Sequence, residues 1–223
     1  MATSPWAAGW LALVLVFAGD GAALAEHDRG AFPLEDRLQL LVQPRSVLAI
    51  DGETGGQREE AFELGERVLA QGVDGRVAFA VTDRRILAIS AGSAAFQETR
   101  FTRGEALATP AALGDRVLLF VTNRRVIGFD GGSGNLVETR LGPRETVQQT
   151  ALANSVAVAV TTRRALGLSP FRGGFFEVPL GLDEAEAEPS ASGDIATLVT
   201  GERILTFRAA TGGWEERRIG LGN

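Results

Sequence analysis

Glutamates and arginines recur in this chain at a spacing that invites pairing. Glu66 precedes Arg85, Glu105 precedes Arg125, Glu145 precedes Arg164 and Glu184 precedes Arg203, each by 19 or 20 residues. A forked guanidinium opposite a carboxylate forms a charge-assisted, bidentate pair. Four such pairs at one phase read as structural ion pairs that set geometry. In the first copy the arginine becomes Ser46 and the matching acid becomes His27, so both members are lost together. A neighbouring set, Arg45, Arg84, Arg124 and Arg163, stands one residue earlier. Side chains alternate along a strand, so this set projects apart from the first and forms a candidate binding site for a carboxylate, phosphate or acidic sugar. Glu202 takes its fifth place. The run Asp183-Glu-Ala-Glu-Ala-Glu-Pro189 is a weaker candidate. On a strand, Glu184, Glu186 and Glu188 would share one face and offer hard oxygen ligands to a cation such as calcium.

Other chemistry is excluded by composition. Among 223 residues there is no cysteine, which removes disulfides, thiolate nucleophiles and cysteine metal sites. The single histidine, His27, lies near the start of the chain, and no nucleophile elbow, phosphate loop or metal-binding histidine pair is present. A catalytic acid is singular in a site, whereas these acids mostly recur from copy to copy. Only Glu186, Glu188, Asp28 and Glu35 break the repetition. No catalytic residue, no cofactor and no enzyme activity are therefore expected. The formal net charge of −6 argues against nucleic-acid binding, and every one of the 22 basic residues is arginine.

The elements that must position these residues are repeats. Val81-Thr-Asp-Arg-Arg-Ile-Leu-Ala-Ile-Ser90 returns as Val121–Asp130, Val160–Ser169 and Val199–Arg208, with a weaker copy at Val42–Asp51. The leading valines step by 39 or 40 residues, a period that signals stacked units unable to bury their apolar faces alone. Each unit reads as four strands. The first opens at Glu66, Glu105, Glu145 or Glu184. The second is a continuous apolar run such as Val77–Val81, which suits a strand buried on both faces. The third carries a small or short residue at one phase, Ala49, Ala88, Gly128, Gly167 or Thr206, where a neighbouring surface approaches closely. The fourth is polar, with Glu59, Glu98, Glu138, Glu177 and Glu216 read as protection of an outer edge.

Four antiparallel strands written five times predict an all-β fold, a five-bladed β-propeller of four-stranded blades. The blades are expected at about 27–65, 66–104, 105–144, 145–183 and 184–223. The segments Leu48-Ala-Ile-Asp-Gly-Glu-Thr-Gly55 and Ile127-Gly-Phe-Asp-Gly-Gly-Ser-Gly134 resemble the blade motif of the quinoprotein-like (PQQ-type) propeller repeat. That resemblance implies the fold and a tryptophan packed between blades. Only Trp214 is a tryptophan near that place, and Phe96, Leu136 and Phe175 occupy the equivalent positions in other copies, so quinone binding is not carried over. The copies run in phase to the C-terminus, which leaves no spare strand to latch a ring.

Residues 1–25 read as a signal peptide, with an apolar run from Trp10 to Ala18 and small residues at Ala23 and Ala25. A periplasmic or secreted location follows from that reading, with no transmembrane span after cleavage. The expected function is a non-catalytic, exported binding or scaffolding module. Its partner would be an envelope or secreted protein, with an acidic small ligand as a further candidate. The alternative is a carbohydrate-active propeller, hydrolase-like or lectin-like.

Overall fold

Valine and leucine, with alanine and isoleucine, dominate the second and third strands of the repeats, and the β-branched side chains among them favour pleated, buried backbone. The computed structural model describes residues 37–220, and these fold as antiparallel sheets built one after another along the chain. The first sheet contains β1 (Leu38–Val42), β2 (Ser46–Asp51) and β3 (Gln57–Ala61). The second holds β4 (Val68–Asp74), β5 (Val77–Thr82), β6 (Arg85–Ser90) and β7 (Gln97–Arg100). The third holds β8 (Ala112–Leu113), β9 (Val117–Val121), β10 (Arg125–Asp130) and β11 (Asn135–Arg140). The fourth holds β12 (Val147–Ala153), β13 (Val156–Thr161), β14 (Arg164–Ser169) and β15 (Gly174–Pro179). The fifth holds β16 (Pro189–Ser192), β17 (Ile195–Val199), β18 (Arg203–Arg208) and β19 (Gly213–Arg218). Strand order follows chain order in every sheet, as a meander requires. The segment that would carry a fourth strand for the first sheet lies outside the described residues, as does the expected signal peptide. No helix among the described residues is long and apolar enough to cross a membrane.

Four apolar clusters hold the sheets together, each shared by two consecutive sheets. Val47 and Ala49 meet Ala78, Leu87 and Ile89 at the first junction. Phe79, Ile86 and Ala88 meet Phe120, Ile127 and Phe129 at the second. Leu119 and Val126 meet Ala159, Leu166 and Leu168 at the third, and Val158 and Ala165 meet Leu198, Leu205 and Phe207 at the fourth. The glycines explain how closely the sheets approach. A Cβ on Gly167 would lie 2.6 Å from the Phe207 ring, and one on Gly128 would lie 2.6 Å from a Leu168 methyl. The backbone also crosses each junction. The N–H groups of Arg37, Arg76, Arg116 and Ser155 donate to the carbonyls of Gly75, Asp115, Asn154 and Gly193 in the next sheet.

The position at which the resemblance implies a tryptophan holds an apolar side chain at each of the four internal junctions, a tryptophan only at the fourth. Phe96, Leu136, Phe175 and Trp214 all pack into the four clusters. The Trp214 indole additionally donates its N–H to the Phe176 carbonyl at 2.9 Å. In the first sheet this position is Gln57, which is exposed.

Candidate functional site

The repeated Val-Thr-x-x-Arg motif places a tight turn between the second and third strands, and this turn builds the same polar site four times. In the second sheet the Arg85 Nε donates to Glu66 Oε1 at 2.9 Å, and Nη2 donates to Glu66 Oε2 at 3.3 Å. The equivalent Nε bonds are 2.7 Å for Arg125 to Glu105, 2.9 Å for Arg164 to Glu145 and 2.7 Å for Arg203 to Glu184. The acid comes from the loop entering the sheet, and the arginine opens the third strand.

Each guanidinium has further partners that tie it to the sheet before. Nη2 of Arg85, Arg125, Arg164 and Arg203 donates to the carbonyls of Ala61, Arg100, Arg140 and Pro179, the last residues of β3, β7, β11 and β15. Nη1 donates to Glu98, Glu138, Glu177 and Glu216 on the outer strand of the same sheet. These outer glutamates were expected to act as edge charges; in the structure they complete the arginine sites. Arg85 adds Glu60 of the first sheet at 3.0 Å.

The glutamate side of the site is equally saturated. Glu66, Glu105, Glu145 and Glu184 accept backbone N–H bonds from the residues three before them: Glu63, Thr102, Gly142 and Gly181. The hydroxyls of Thr122, Thr161 and Thr200 donate to the same carboxylates. These threonines were not singled out from sequence, although the Val-Thr pair shared by four of the five repeats was the available signal. The Glu66, Glu105 and Glu145 side chains are at most 3% exposed. Burial alone would raise their pKa values. The arginine, hydroxyl and backbone donors outweigh it and hold all three below the usual range. For Glu184 the Arg203 bonds dominate, and the pKa falls from 4.5 to about 2.

The second arginine set is used differently. Arg84, Arg124 and Arg163 donate to the carbonyls of Leu64, Arg103 and Pro143, which brace the loop leading into each sheet. Arg84 also pairs with Glu63 at 2.8 Å. Arg45 is exposed on the equivalent turn of the first sheet. The four do not converge on one cavity. Arg124 lines a groove of about 530 Å³ with Arg140, Asn123 and Leu141, and the other three lie outside it.

The acidic run in the fifth repeat does not form the expected strand face. A 3₁₀ turn spans Leu182–Glu184 and the strand begins only at Pro189. Glu184 is committed to Arg203 and Thr200, while Glu186 and Glu188 are exposed. Among the described residues no three acidic or histidine side chains gather as a metal site. His27, Asp28 and Glu35 lie outside the described residues.

No family model matches the sequence, and no curated protein aligns with it. Partial structural likeness is found to human WBSCR16, with 13% identity, a TM-score of 0.40 and coverage of 73% of this chain and 56% of that one. The N-terminal domain of Nup159 gives 9% identity and a TM-score of 0.35, covering 82% and 58%. YCF48 bound to D1 peptide gives 15% identity and a TM-score of 0.33, covering 83% and 71%. The chain thus spans under two thirds of the first two. The architecture assigned here rests on its own strand order, register and junctions.

Proposed function

We propose that this chain is a non-catalytic, propeller-type module that holds a protein partner, and that the arginine-bearing end of its sheets contributes to recognition. The supporting observation is the saturation of the repeated charge site. Each buried carboxylate accepts bonds from an arginine, a hydroxyl and a backbone N–H, which leaves it poorly suited to exchange protons with a substrate. A stiff array of sheets with repeated, exposed turns suits multivalent contact. YCF48 was solved with a peptide bound and Nup159 in a complex with Dbp5 and Gle1.

The anion-recognising part of this reading centres on the groove beside Arg124 and Arg140. Guanidinium groups bind carboxylates and phosphates in a planar, two-pronged manner. An exported location, as the signal-like start implies, would make the partner an envelope or secreted protein. The test is capture of partners from an envelope extract by the wild-type chain and by a quadruple alanine variant at Arg45, Arg84, Arg124 and Arg163. Loss of a partner that the wild type retains, with unchanged thermal unfolding, supports the reading. Recovery of the same partners by both proteins removes this end of the molecule from recognition.

A further inference from the structure

The two outermost sheet faces are built as halves of the same junction that the chain uses four times internally. The face of the first sheet turned away from the second carries Gln39, Leu41, Leu48, Ile50, Gln57 and Glu59, as the strand register dictates. The face of the fifth sheet turned away from the fourth carries Ile195, Val199, Ile204, Thr206, Glu215 and Arg217. Among the described residues neither face contributes to an apolar cluster. Leu41 is 39% exposed, Ile195 46% and Val199 55%. Their counterparts at internal junctions, such as Ala80, Val117 and Val160, are fully buried. Among the described residues no apolar cluster joins the fifth sheet to the first.

Two features say what would cover them. The first is shape. At internal junctions a small residue of one sheet receives a large one from the next: Gly128 receives Leu168, and Gly167 receives Phe207. By the same register Thr206 would receive Ile50. The second is charge. In four sheets the outer glutamate is bound by its own arginine, but Glu59 has Ser46 at that position. The residue that faces this spot across a junction is Glu60, Thr99, Thr139 or Val178 internally, and Arg217 on the fifth sheet. Glu60 reaches across the first junction to Arg85 at 3.0 Å. The mirrored arrangement would bring Arg217 to Glu59, supplying from the other side the cation that Ser46 lacks.

We propose that these faces are an interface between two copies of this chain, with the fifth sheet of one copy packed on the first sheet of the next. Among the described residues no backbone hydrogen bond and no apolar cluster joins the fifth sheet to the first, and the shape and charge of the two faces fit a second copy. Such a head-to-tail contact is heterologous: it either closes a ring of copies or extends a filament.

The absence of cysteine makes the test direct. Full-length chains carrying Ile50→Cys alone and Thr206→Cys alone are mixed under mild oxidation. A Cβ on Gly167, the equivalent internal position, would lie 2.6 Å from Phe207 Cγ, one bond from the facing Cβ, so the two Cβ atoms stand near the separation a disulfide spans. The expected result is a cross-linked dimer in the mixture, at least tenfold above either variant alone, and a wild-type mass above one chain by light scattering. Arg217→Glu should reduce that yield, and Glu59→Arg in the facing copy should restore it. The proposal is overturned by a monomeric wild type. It is also overturned if the double variant I50C/T206C cross-links only within one chain, which would mean self-closure, or if no cross-link forms at all.

Discussion

Replacing Arg125 by alanine tests whether the repeated charge site holds the sheets together. The Arg125 guanidinium is 11% exposed and its partner Glu105 is 1% exposed. It donates to Glu105 at 2.7 Å, to Glu138, and to the Arg100 carbonyl of the preceding sheet at 2.6 Å. Hydrogen bonds to charged groups contribute roughly 1.5–3 kcal/mol each, and breaking a buried pair costs about 3–5 kcal/mol because the other charge stays behind. Glu105 would retain Thr102 and Thr122 as donors, which softens its isolation. The expected loss is therefore about 3 kcal/mol, near the lower end. For a domain of this size that lowers the melting temperature by roughly 6–12 °C. Glu105→Ala should cost a similar amount, since it strands Arg125. The double variant should fall short of the sum by about 1.5–3 kcal/mol. Urea denaturation of the four proteins measures this cycle. Additivity to within about 0.5 kcal/mol would show that the contact does not couple the two residues, and the reading of Glu105 and Arg125 as a structural ion pair would be refuted.

Acid should weaken the array in a defined window. Glu184 falls from 4.5 to about 2 on folding, so its contribution is complete above pH 4.5 and is lost as pH drops toward 2. Fully realised, that shift is worth on the order of 3 kcal/mol, and Glu184→Gln should flatten the stability curve below pH 4.5; an unchanged curve in thermal melts would count against the assignment. Gly167→Ala should destabilise by about 1–3 kcal/mol, because the new methyl enters the Phe207 ring, and Phe207→Leu should recover part of the loss. A denaturation series showing no cost for Gly167→Ala would mean the fourth junction is looser than described. Trp214→Phe keeps the ring packing but removes the bond to the Phe176 carbonyl, so a loss of about 1 kcal/mol is expected in urea melts.

The second and third strands were legible because their signal is local: a β-branched run, a turn, then an alternating run. The Glu66–Arg85 spacing was legible because a hairpin and its entry loop fix both positions relative to one turn. The role of Glu98 was not, since it depends on register. Leu87 pairs with Glu98 and Arg85 with Arg100, and only that alignment lays the glutamate diagonally under the guanidinium. The inner strand of the third sheet shrank to Ala112–Leu113 because Pro110, which has no N–H to give, interrupts the segment. The strand expected over Glu184–Glu188 failed because the chain is still turning there: Leu182–Glu184 form a 3₁₀ turn and the Ala187 N–H donates to the Glu184 carbonyl, so the strand begins only at Pro189.

The direction of the arginine bonds has a consequence for how such a chain changes over time. Every clasp reaches backward, from a sheet to the final carbonyl of its predecessor. A whole unit thus arrives with its own means of attachment and accepts whatever backbone precedes it. Duplication or loss of one complete unit would leave no buried charge stranded, whereas a cut through the middle of a unit would orphan one. Lineages of this array should therefore grow and shrink in whole steps.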